Sequence, residues 1–213
     1  ARGAALDRQA AGEGLLRKTE GPASGKVTVT DTSFAKIATK VFQGTAAPIV
    51  GSNSINVADA SAFAPTGSIY VGRGTDNYEG PLAYTSITAP PGSGGNYYTI
   101  NLASGTTEFH NLGESVILTQ GGDRAVGAGT LCQTPQGNSG TAITFRFLNG
   151  TTLLDGEVEV EGAVVVATRP GVVGNIQAKT IKGFASAPFT GAYCTNPTPF
   201  INGEAAETDE ALR

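Results

Sequence analysis

The sequence predicts a mainly β protein, and three observations carry that reading. Short alternating segments rich in β-branched and aromatic residues recur from KVTVT at Lys26–Thr30 to PFTGAYC at Pro188–Cys194. Turn-forming stretches separate them, supplied by 30 glycines and 11 prolines. The spacing of strands and turns argues for small all-β units rather than βαβ units.

Taken in order, residues 4–18 (AALDRQAAGEGLLRK) read as a short helix. Leu6, Ala10 and Leu15 can share one face, and Glu13 with Arg17 forms an i,i+4 pair. Gly12 and Gly14 weaken it by up to about 1 kcal/mol each relative to alanine, so such a helix needs a partner surface. EGPASG at Glu20–Gly25 is a linker, and KVTVT is the first strand. SFAKIATKVF at Ser33–Phe42 fits either a helical face (Phe34, Ile37, Ala38, Val41) or a strand face (Ile37, Thr39, Val41). Its β-branched residues favour the strand. SINVAD, GSIYVG, PLAYTSI, YYTINL and ESVILT follow between Asn53 and Thr119 as short strands. GTLCQT, TAITFRFL, EVEVEGAVVVAT, GNIQAKTIKGF and PFTGAYC continue the pattern. At the far end, Thr208 is a predicted N-cap, with Asp209 and Glu210 in a first turn that suits negative charge.

Composition narrows the functions. Net charge is −4 with no basic run, which argues against a nucleic-acid footprint. No apolar stretch reaches the roughly 20 residues that cross a bilayer, and no signal-peptide h-region is visible. Charged residues are only 15% of the chain, which suggests surface covered by neighbours. Two cysteines, Cys132 and Cys194, make one disulfide conceivable, but a reduced environment is the simpler expectation. Methionine is absent even at position 1, which reads as a processed chain or one part of a longer polypeptide.

Candidate chemistry is sparse. His110, the single histidine, is expected to be structural or solvated, because no nucleophile elbow, Cys-x-x-Cys or His-x-x-x-His accompanies it. Glu204, Glu207, Asp209 and Glu210 lack the spacing and central glycine of a calcium loop. Glu157, Glu159 and Glu161 alternate along one predicted strand and read as a solvent or interface face. The glycine pairs in GRGTDNYEG (Gly72–Gly80) and GVVGN (Gly171–Asn175) match neither a phosphate loop nor a dinucleotide fingerprint, and read as turns. In RPGVVGN, Pro170 cannot continue a ladder, Gly171 and Gly174 allow a reversal, and Asn175 can bond its own backbone. The two valines between them are expected to pack inward.

VVVATRPGVVGNIQAKTI, Val164–Ile181, resembles the signature of baseplate J-like proteins of contractile phage tails, with matching positions Val166, Ala167, Gly171, Gly174, Asn175, Thr180 and Ile181. LDRQAAGEGLLRKTEGPASGKVTVT, VGAGTLCQTPQGNSGTAITFRF and TNPTPFINGEAAETDEALR are similar to three further family segments, in family order. Val126-Gly127 departs from the family's usual proline, and Ile176 stands for valine. The resemblance covers 4–44 and 124–213. It implies a discontinuous β-domain (21–44 and 124–207) with a small β-unit, 45–123, inserted. A helical arm (1–20) precedes it, and a helix or domain starts at 208–213, giving short helices at both ends.

What the resemblance implies about function is a non-catalytic wedge component of a tail baseplate, in the virion after assembly in the host cytoplasm. Such a component forms the ring around the central hub and helps couple baseplate rearrangement to sheath contraction. Expected partners are further copies of the chain, a second wedge protein, and hub, tube or sheath-initiating proteins. No cofactor, metal, nucleic acid or membrane is implied. Pro170, Gly171, Gly174, Asn175, Thr180 and Ile181 are the expected structural motif, and Leu6, Ala10 and Leu15 the expected assembly contacts. The other reading is a glycan- or receptor-binding β-domain of a tail fibre, since Tyr70, Tyr78, Tyr84, Tyr97 and Tyr98 gather in the inserted region. A cell-wall hydrolase is a third class, without the motifs to support it.

Overall fold

The computed structural model describes residues 19–42, 49–90, 96–136 and 141–206. Thirteen strands make up the described chain: β1 (Ser24–Asp31), β2 (Ala38–Lys40), β3 (Ser54–Val57), β4 (Gly67–Val71), β5 (Glu79–Thr88), β6 (Tyr98–Leu102), β7 (Ser115–Leu118), β8 (Arg124–Val126), β9 (Leu131–Gln133), β10 (Thr144–Phe147), β11 (Thr151–Leu153), β12 (Glu159–Ala167) and β13 (Ala192–Thr195). Among the described residues the one helical element is a 3-10 turn, Val172–Gly174. The helices expected over 4–18 and from Thr208, with Leu6, Ala10 and Leu15, lie outside the described residues.

The chain divides into two compact units. The first takes the described parts of Ala1–Ser33, Arg124–Leu153 and Val158–Arg213, and the second those of Phe34–Asp123 and Leu154–Glu157. The second unit therefore starts ahead of residue 45, where the insertion was expected. The reason is that β2 pairs with β7, joining 34–42 to the second unit's sheet.

In the first unit, five antiparallel strands run in the order β13-β1-β12-β10-β9, and β8 pairs separately with β11. A bulge sits in β12, where Val27 faces Ala163 but Val29 faces Val160. Gly162, at φ +82, takes the extra residue. The bulge resets side-chain parity: Val160 packs against the core before it, and Ala163, Val165 and Ala167 after it. The segment Lys179–Ala185, within the GNIQAKTIKGF run that was expected to be a strand, is irregular instead. It nevertheless fills the gap between the two outer strands. Lys179 N–H donates to Asn196 O just beyond β13, while Lys182 and Ala185 donate to Gln133 and Leu131 of β9, and Gly183 O accepts from Gln133. The result is a barrel of five strands and one irregular stave. Phe145, Phe147 and Phe200 are fully buried in it, each contributing about 1.5–3 kcal/mol by burial.

The second unit is a six-stranded antiparallel sheet in the order β2-β7-β4-β5-β6-β3. Its outer strands also meet: Phe42 N–H donates to Asn56 O, and Ala58 N–H to Lys40 O, closing it through the Val41–Val57 bridge. Alternate residues fill the interior, among them Ile55 and Val57, Ile69 and Val71, Ile100 and Leu102, and Val116 and Leu118. That is the period of two the sequence displayed.

Three further expectations are corrected. Val172 and Val173 are 57% and 45% exposed, because the 3-10 turn carries them outward while Gly174 faces the core. Glu157 lies before β12 and shares no strand face with Glu159 and Glu161; it pairs with Lys36 at 2.6 Å and Arg73 at 3.5 Å. Strands β8 and β11 were not foreseen, being three residues each.

Candidate functional site

The signature turn, the incoming strand and the outgoing segment meet at one place on the first unit. Gly171 adopts φ +88 and ψ −177, a region essentially reserved for glycine. That conformation lets its N–H reach Gly21 O at 3.1 Å. Gly21 O also accepts from Glu204 N–H at 2.9 Å, and Gly21 N–H donates back to Glu204 O at 3.1 Å. Pro170, next to it, is exposed and donates nothing.

Gly174 is glycine for a different reason. Its φ is ordinary, but a Cβ there would lie 2.7 Å from Ala167 Cβ and 2.9 Å from Ala23 Cβ. Close approach, rather than a left-handed turn, excludes a side chain. Asn175 N–H closes the turn on Val172 O. Its side chain does not bond its own backbone as expected; it grips Gly203, donating through Nδ2 to the carbonyl at 3.1 Å and accepting from the N–H at 2.8 Å. Ile176 and Phe200 exchange two backbone hydrogen bonds of 2.9 Å, while the Asn202 side chain accepts from Ser24 N–H at 2.8 Å and donates to Ser24 Oγ at 2.9 Å. Gly25 leaves room for the Phe200 ring, which a Cβ there would overlap. The whole forms a clamp of short backbone and amide contacts.

Thr180 and Ile181 belong to a second knot that sequence reading missed. The fully buried Asn196 accepts from both their N–H groups at 2.9 Å and donates to Gln177 O and Thr198 O at 2.8 and 2.9 Å. Its amide is thus fully used. Lys179, at φ +59, is the residue that turns the chain into this grip. The signal was the Asn-Pro of TNPTPF, where a short amide before a proline marks a turn, but nothing in the sequence named its target.

His110 lies in the second unit, fully buried, with Nδ1 3.0 Å from Glu114 Oε2 and Nε2 3.1 Å from Glu79 Oε2. Burial pushes Glu79 up, but hydrogen bonds from Thr107, His110 and Glu108 outweigh it and hold its pKa below the ordinary carboxylate value. Glu114 is likewise raised by burial and lowered further by Asn111 and His110. The carboxylates sit on different ring nitrogens and do not converge on a point where an ion could bind. Among the described residues no group of three or more His, Cys, Asp or Glu is placed to hold a metal. A fully buried imidazole between two carboxylates is a staple for the loop that carries it, and offers no substrate access.

The five tyrosines do not form one platform. Tyr84 is buried, donating to Ala64 O, and Tyr70 stacks on Tyr78 beneath Arg73. Tyr97 packs on Phe42, and Tyr98 lies against the barrel core.

Fold and clamp together describe a β-barrel whose densest polar contacts hold its own incoming and outgoing chain. Residues 115–203 match the family model described as the Baseplate J-like protein barrel domain. The match bears out the family resemblance over residues 124–203, through the signature turn, and does not extend to the resemblance read over 4–44. The match spans less than half of the chain and shows that it carries a baseplate J-like barrel domain. No curated protein matches the chain.

Proposed function

We propose that this chain is a wedge component of a contractile-tail baseplate, one of several copies that ring the central hub and help pass baseplate rearrangement to the sheath. The observation that carries the reading is the antiparallel Gly21–Glu204 pair. It holds the strand entering the first barrel beside the segment leaving it. A load applied through the flanking chain then acts on the barrel at one clamped point and moves it as a body, with no shear along its strands. Further copies of the chain and a second wedge protein are the partners this arrangement suits. The test is to substitute Asn175 by alanine in the phage and purify tails. Fewer assembled baseplates, with the remaining ones slow to contract, is the expected outcome. Tails that assemble without this protein, or that contract normally with the clamp weakened, would overturn the proposal.

A further inference from the structure

We propose that Cys132 and Cys194 are a disulfide-forming site that covalently closes the first barrel. This inference does not depend on the baseplate reading. The two residues come from the outer strands of the sheet, β9 and β13, which the irregular stave Lys179–Ala185 joins. Cys132 lies directly opposite Phe184 of that stave, and Cys194 Sγ donates to Gly183 O at 3.4 Å. The two cysteines, 62 positions apart in sequence, are thus brought together at Gly183-Phe184: the Gly183 carbonyl that Cys194 Sγ reaches also accepts from the N–H of Gln133, next to Cys132, at 3.0 Å. Both thiols are free and fully buried. The closure has few ladder hydrogen bonds and no regular strand, so it is where this barrel opens most readily. A bond at this point would tie the first stave to the last.

The oxidant is a small-molecule disulfide such as oxidised glutathione. One cysteine thiolate attacks it, forming a mixed disulfide and releasing one glutathione thiolate. The second cysteine thiolate attacks the protein-side sulfur, forming the internal bond and releasing the other. The two protons lost by the protein thiols go to the two released thiolates, so two thiols are oxidised and one disulfide is reduced. Because both sulfurs are buried, attack needs the stave to lift. Oxidation of the folded chain is therefore slow, while oxidation during folding is fast.

The test refolds the full chain from denaturant in a glutathione redox buffer, followed by alkylation and peptide mapping by mass spectrometry. Neither cysteine should be alkylated, and the peptides bearing Cys132 and Cys194 should be joined. The thermal midpoint should rise by at least about 5 °C and fall back with reductant. Cys194→Ser and Cys132→Ala should each lose the reductant-sensitive shift. Alkylation of both cysteines after oxidative refolding, or glutathione adducts without an internal link, would overturn the proposal. So would a link that lowers the midpoint. The wild-type peptide map decides the matter even if a variant fails to fold.

Discussion

Replacing His110 by leucine keeps much of the side-chain volume but removes both ring nitrogens from between the two carboxylates. Glu79 and Glu114 would then face an apolar side chain with their Oε2 atoms unpaired on that side. Removing one partner of a buried ion pair costs roughly 3–5 kcal/mol. Here Glu79 keeps the Thr107 N–H, the Thr107 hydroxyl and the Glu108 N–H, and Glu114 keeps the Asn111 amide. The low end, about 3 kcal/mol near neutral pH, is therefore expected. The pH dependence has a definite sign. Both carboxylates have folded pKa values below the ordinary 4.5, so their stabilisation is present above that value and is lost as pH falls through the depressed folded one.

In the leucine variant, burial still raises both groups and the histidine no longer opposes it. They protonate at a higher pH, and a protonated carboxyl tolerates an apolar neighbour. The penalty relative to wild type should therefore shrink on acidification, to below about 1 kcal/mol near pH 4. Urea unfolding at several pH values, with hydrogen exchange read at the amides of β4 and β7, measures it. A penalty that is independent of pH, or below about 1 kcal/mol near neutrality, would refute the staple.

Other substitutions separate the two kinds of glycine and the two knots. Gly171→Ala should cost about 1–3 kcal/mol through backbone strain, whereas Gly174→Ala should cost a similar amount by overpacking. Removing the methyl it meets, with Ala167→Gly, should partly rescue Gly174→Ala but not Gly171→Ala; equal rescue of both in denaturant melts would contradict the geometry. Asn196→Ala should cost about 2–4 kcal/mol by orphaning two N–H groups and the Thr198 carbonyl, while Gln177 O keeps the Thr180 hydroxyl, with amide protection lost first at Thr180 and Ile181. Replacing Phe34–Asp123 by a short Gly/Ser linker should leave the first unit folded, since Arg124 and Asp31 form a 3.0 Å ion pair beside the cut ends. An unfolded product by circular dichroism would show that the first unit cannot close alone.

Strands were the legible part, because period-two patterning and turn chemistry are local. VVVA, SINV and SIYV could be recognised from their own residues. The β8–β11 pair escaped because three residues carry too little pattern. Lys179–Ala185 misled in the opposite direction: its composition is that of a strand, but Asn196 takes its N–H groups and breaks the ladder. The signature turn was half legible. A Pro-Gly-x-x-Gly-Asn run announces a turn, and Gly171 behaves as one. That Asn175 would reach Gly203, 28 positions later, depends on a tertiary approach that no local rule contains. The same holds for His110, whose partner Glu79 lies 31 positions away.

Closure of both sheets bears on how such a chain could join a ring. An open sheet can recruit a neighbour by adding its strand to an edge, which is also an aggregation hazard. Here the outer strands β2 and β3 are bridged to each other, and β9 and β13 are joined through the Lys179–Ala185 stave. The six-stranded and five-stranded sheets therefore have their edges occupied, and strand addition there would first have to break a closed barrel. Under the proposed wedge role, contacts with neighbours fall instead to loops and to the chain on either side of the clamp. The exposed Val172, Val173 and Ile201 stand on the two segments that the clamp ties together. A ring built this way could rearrange by moving whole barrels about their clamped attachment, with the hydrogen-bonded ladders inside each barrel left intact. Hydrogen exchange in tails before and after contraction distinguishes the two cases. Protection should change around residues 19–25 and 200–206 and stay constant in β4, β5 and β12. Loss of protection across those interior strands would mean that the barrels themselves open, and the clamp would then not be the pivot.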